Sequence, residues 1–80
     1  MIELGNLLTS AIAMYEAGNY EKLSYVANGI KKISKIMELS DLADAASNFE
    51  EAIVFEDSER IEQLYNRIVK GIRSVVTINA

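Results

Sequence analysis

No cysteine, histidine, proline or tryptophan occurs among the 80 residues. Without cysteine there is neither a disulfide framework nor a thiolate metal site. Without histidine as well, the commonest nucleophile–base pairs and most zinc sites are excluded. No apolar run approaches the ~20 residues that cross a bilayer. A basic segment leading into an apolar one, the mark of a secretory signal, is not seen. Basic residues are the minority, 8 against 12 acidic ones, and the net charge is −4. That balance argues against broad nucleic-acid binding, which needs a positive surface. What remains is a chain that is 50% hydrophobic and 25% charged, enough for one small core. The composition reads as soluble, reduced and cytoplasmic, with little equipment for catalysis.

The lack of proline leaves helical periodicity uninterrupted, and the pattern predicts an all-α fold of four helices, about 2–17, 20–37, 40–55 and 58–76. In the first, Leu4, Leu7, Leu8, Ala11, Met14 and Tyr15 share one face. Gly18-Asn19 breaks it, since glycine accepts the left-handed C′ conformation and asparagine caps the next helix. In the second, Leu23, Val26, Ala27, Ile30, Ile33, Ser34 and Met37 share a face. Asn28-Gly29 is its weak point, yet the apolar stripe keeps phase across it. The third begins at Ser40, read as an N-cap, and buries Leu42, Ala45, Ala46, Phe49, Ala52 and Ile53. The fourth follows Asp57-Ser58 and buries Ile61, Leu64, Tyr65, Ile68, Ile72 and Val75. Acidic residues lead it and Arg67, Lys70 and Arg73 end it, as the helix dipole favours. Short connections make consecutive helices antiparallel, so the expected architecture is an up-down-up-down four-helix bundle forming a single domain over 1–80.

Nine acidic residues lie between Glu38 and Glu62, with Arg60 the only base among them. They read as solvated helix faces. No carboxylate stands on a buried stripe, so neither a metal nor another cofactor is expected, and no residue is assigned a catalytic role. The second helix is more position-specific. Asn28, Lys32 and Lys35 follow i, i+4, i+7 spacing, with Lys31 on the flank. They are expected to face solvent or a partner while Val26, Ile30 and Ile33 are buried. Tyr25 projects from the same polar side, near Gly29 and Ile36. Tyr25, Asn28, Lys31, Lys32 and Lys35 are therefore the candidate partner-binding residues, a ridge suited to steering an acidic partner.

At this ridge the sequence resembles the histidine-containing phosphotransfer (HPt) domains of bacterial two-component signalling. The family motif reads Ala-His-x-Leu-Lys-Gly on the second helix of a four-helix bundle, with a Leu-Glu pair on the next helix. Ala27-Asn28-Gly29-Ile30-Lys31-Lys32 occupies its place, and the turn Gly18-Asn19-Tyr20-Glu21 precedes it. Phe49-Glu50 stands where Leu-Glu would be, and Glu56-Asp57 resembles the turn into the last helix. The likeness covers residues 12 to 76. A second register sets Gly29 on the motif glycine, Asn28 on its lysine and Tyr25 on its histidine; the first keeps the alanine, the aliphatic residue and the lysine together.

The departures from this motif are as informative as the matches. Asn28 stands at the phospho-acceptor position, and an amide nitrogen carries no basic lone pair with which to attack a phosphoryl group. Lys32 replaces the motif glycine. The resemblance therefore implies a degenerate, non-catalytic member. It would dock a response-regulator receiver or a histidine kinase without passing phosphate. Two other readings stand beside it. Tyr15-Glu16-Ala17-Gly18-Asn19-Tyr20-Glu21-Lys22 is similar to a tetratricopeptide-like helix turn, which suggests a small helical adaptor. A structural homodimer or larger homo-oligomer would bury Tyr25 and Ile36 against a copy of the chain.

Overall fold

Three connections of three residues each decide where the helices stop. In the computed structural model, which describes residues 2–78 and the side chains of residues 4–76, four helices follow one another. They are α1 (Ile2–Glu16), α2 (Tyr20–Ile36), α3 (Ser40–Val54) and α4 (Ser58–Ile78). The fold is all-helical, with no strand among the described residues. The first three helices end one residue earlier than their periodicity predicts, and α4 runs two residues further.

All three connections share one hydrogen-bond pattern. The N–H groups of Asn19, Leu39 and Asp57 donate to the carbonyls of Met14, Ser34 and Ala52 at 2.9, 2.8 and 3.0 Å. One residue earlier, Gly18, Glu38 and Glu56 donate to Tyr15, Lys35 and Ile53, each at 3.1 Å. This is the Schellman closure, which places one residue in the left-handed region. That residue is Gly18 (φ 69°), Glu38 (φ 60°) or Glu56 (φ 54°). Glycine enters this region freely, whereas a residue with a Cβ does so at a cost.

The last residue of each turn opens the next helix. Asn19 Oδ1 accepts from the Lys22 N–H at 3.2 Å, and Asp57 Oδ1 accepts from the Arg60 N–H at 3.3 Å. Here α3 departs from expectation. Ser40 is its first helical residue, and Leu39 holds the cap position without a side-chain cap bond. The turn closes on the residue-39 amide, which fixes the cap there. Leu39 packs against the core instead of capping.

The apolar stripes meet in one core. Leu4, Leu8 and Ala11 of α1, Leu23, Ala27 and Ile30 of α2, and Ile61, Ile68 and Ile72 of α4 are all buried. From α3 come Phe49, the largest fully buried side chain, and the small residues Ala45, Ala46 and Ala52. Each helix packs on the next and α1 packs on α4, while the pairs α1–α3 and α2–α4 make no close backbone approach among the described residues. The long dimension is 33 Å, close to the ~32 Å expected of a helix as long as α4. No helix is long and apolar enough to cross a membrane among the described residues.

Two contacts fix α1. A Cβ at Gly29 would lie 3.3 Å from Leu7 Cδ2. The mid-helix glycine thus lets α1 approach closely, and α2 continues through it unbroken. At the other contact, the rings of Tyr15 and Tyr65 stack with centroids 3.8 Å apart and planes within 6°. Both phenols ionise above their ordinary value of 10.0. Burial is the main cause for each. Glu62, Tyr20 and the neighbouring Tyr65 raise Tyr15 further, and Glu16 raises Tyr65 while Arg73 opposes it.

Two outcomes are expected. Glu38→Gly and Glu56→Gly should each stabilise the chain by about 0.5–1 kcal/mol, the relief of left-handed strain less the added freedom of the unfolded state. Gly18→Ala should destabilise it by about 1 kcal/mol; urea denaturation reads all three. The neutral phenols favour the folded state, so their contribution is complete below pH ~10 and falls as pH rises through the raised folded values. Stability measured across alkaline pH should decline, and Tyr15→Phe with Tyr65→Phe should flatten that decline.

Candidate functional site

The middle of α2 divides the ridge residues between two environments. At 100° per residue, Asn28 and Lys31 share the flank that turns towards α3. On α3, Glu50 follows the buried Phe49 and projects from the flank facing α2. Glu50 Oε1 lies 2.9 Å from Lys31 Nζ. Its other oxygen accepts a hydrogen bond from Asn28 Nδ2 at 3.4 Å. All three side chains are half-buried. The expectation that Asn28 stands in solvent like its neighbours is corrected here: the helix is rotated so that its amide reaches across to α3. The reading of every carboxylate as a solvated one is corrected too, because Glu50 bridges two helices.

Lys32 and Lys35 lie beyond this bridge, exposed and with no ion pair among the described residues. Tyr25 is 73% exposed and Ile36 81% exposed. The inner side of α2 is only partly as expected: Ile30 is buried, while Val26 and Ile33 are half-buried. The five candidate residues therefore form two sets. Asn28 and Lys31 are held in place by Glu50, which also balances the charge of Lys31. Tyr25, Lys32 and Lys35 point outward. Lys31 adds little to the field of the ridge, because its charge is matched at contact distance.

The Asn28 amide has no basic lone pair and its nitrogen is engaged with Glu50. Among the described residues, no three acidic side chains converge as metal ligands would. The second ion pair, Arg60 Nη1 to Glu51 Oε1 at 3.4 Å, is exposed and ties the start of α4 to the end of α3. Comparison with protein-family models, curated proteins and solved structures finds no match to this chain.

Sequence reasoning missed the role of Glu50. The usable signal was its position directly after a buried phenylalanine, about 100° round the helix. A second feature was not legible at all. A groove of about 980 Å³ opens between α3 and α4. Its existence depends on how those two helices splay.

Removing the bridge should cost more than removing a surface charge. Glu50→Ala leaves Lys31 half-buried without its partner and Asn28 without its acceptor. A loss of about 1–2 kcal/mol is expected. In a double-mutant cycle with Lys31→Ala, measured by urea denaturation, the two losses should be less than additive.

Proposed function

We propose that this chain is a non-catalytic, HPt-like interaction module of bacterial two-component signalling. It works in the cytoplasm and docks a receiver or histidine-kinase domain through the outer ridge of α2. In this reading the helices form an antiparallel up-down-up-down bundle. The observation that carries the proposal is the bridge from Asn28 to Glu50. The resemblance sets Asn28 at the acceptor position and Glu50 in the Leu-Glu pair of the following helix, and these two side chains meet at 3.4 Å. Three-residue connections and the unbroken α2 also support it. A 17-residue α2 and a 21-residue α4 favour a bundle over a tetratricopeptide-like adaptor.

The expected mode of action follows from the residues. Lys32 and Lys35 attract an acidic receiver surface and raise the rate of encounter. Tyr25 adds an apolar contact one turn before the bridge. Asn28 supplies a neutral amide where a phospho-accepting imidazole would be needed. The module thus occupies a docking face and halts transfer.

The test pairs binding with transfer. The chain should bind at least one member of a panel of purified receivers or kinases by isothermal titration calorimetry. Lys32→Ala with Lys35→Ala should weaken that binding about tenfold at low salt, with the difference shrinking as salt is raised. Incubation with radiolabelled phospho-receivers should leave the chain unlabelled. No binding across the panel, or label on the wild-type chain, would overturn the proposal.

A further inference from the structure

Two surfaces of the chain are complementary in charge. The first is the groove between α3 and α4. Its floor is made of Leu42, Ala45 and Gly71, small or buried residues. A Cβ on Gly71 would lie 3.2 Å from Leu42 Cδ1, so the glycine lets α4 pack closely on α3 at the base of the groove. One lip carries Glu38, Asp41 and Asp44, all exposed, while Arg67 is the only base lining the groove. None of the three carboxylates takes part in an ion pair among the described residues. The groove therefore has a mixed lining, with Ser40, Asn48 and Ser74 beside its small and apolar residues, and a negative edge.

The second feature is the outward side of α2. Ile36 and Tyr25 are among the most exposed large apolar side chains, at 81% and 73%. Tyr25, Lys32 and Ile36 follow i, i+7, i+11 spacing and so form one stripe on a helix. Lys32 and Lys35 add two unpaired positive charges. A cationic, amphipathic helix face of this kind is what an acid-lipped groove of mixed lining accommodates.

One chain cannot satisfy itself. The groove lies between α3 and α4, α2 does not approach α4, and the stripe faces away from the core. We infer that the α3–α4 groove receives the outer face of α2 from a second copy of this chain, with Lys32 and Lys35 set against Asp41 and Asp44. Stripe and groove are different surfaces, so the contact is heterologous. Repeated, it yields rings or open chains rather than a two-fold dimer. The inference does not depend on the signalling partner proposed above, although Lys32 and Lys35 serve in both.

A charge swap tests it. The wild-type chain should show weight-average mass rising with concentration in sedimentation equilibrium, and the rise should shrink in high salt. Lys32→Glu with Lys35→Glu, and separately Asp41→Lys with Asp44→Lys, should each weaken association at least tenfold, because like charges then face each other. An equimolar mixture of the two variants should associate again, since each then offers a surface that fits the other. Circular dichroism confirms that both variants, altered only at exposed sites, are folded. A monomeric wild-type chain at its highest soluble concentration would overturn the inference, as would reversed variants that fail to rescue each other. The groove variant also separates this contact from the proposed function: Asp41→Lys with Asp44→Lys weakens self-association but frees the outer face of α2, so receiver binding should be retained and, at concentrations where the wild-type chain self-associates, strengthened.

Discussion

Each three-residue connection places one residue in the left-handed region, and the rest of the fold depends on that closure. Gly18, Glu38 and Glu56 each make the turn with positive φ, and the same pair of backbone bonds closes all three connections. Once the closures are set, the starts of α2, α3 and α4 are set too, because the residue after each left-handed one holds the cap position. Helix phase follows from helix start. Phase decides that Phe49 enters the core and that Glu50 looks towards α2. Two of the three turns achieve this with a glutamate, so part of the core's stabilisation offsets local strain.

Glu50 is where the packing order becomes a functional surface. By holding Lys31 and Asn28 it fixes the rotation of α2 against α3, with the contact between Gly29 and Leu7 setting the opposite flank. The helix is gripped from both sides, and what remains outside beyond its first turn is a narrow strip: Tyr25, Lys32, Lys35 and Ile36. A basic ridge that looks continuous on a helical wheel is thus divided. Its balanced half belongs to the fold and its unbalanced half is open to a partner.

The polar and apolar details of α3 complement this. Alanines on its buried face permit close packing of α2 on one side and α4 on the other. Its outer residues carry much of the chain's negative charge. In a protein of net charge −4, α3 carries acidic side chains and no basic one, while Lys32 and Lys35 stand exposed on α2, an arrangement that favours directed contacts over general repulsion.

The sequence alone determined the four helices and most of the core. Apolar residues recur at helical spacing, no proline interrupts them, and side-chain position round a helix is a local property. It also determined Gly18 as a turn residue and Asn19 and Asp57 as caps, because these choices rest on the chemistry of one or two residues. Only the tertiary structure decided the rest. Leu39 replaces Ser40 at the cap because the turn's closure and the core, not side-chain capping, select it. Glu38 and Glu56 turn left-handed because the helices they join are held by packing. The Glu50 bridge and the α3–α4 groove arise from the distance and rotation between helices. Such quantities are properties of pairs of elements far apart in sequence, and no single stretch of residues encodes them.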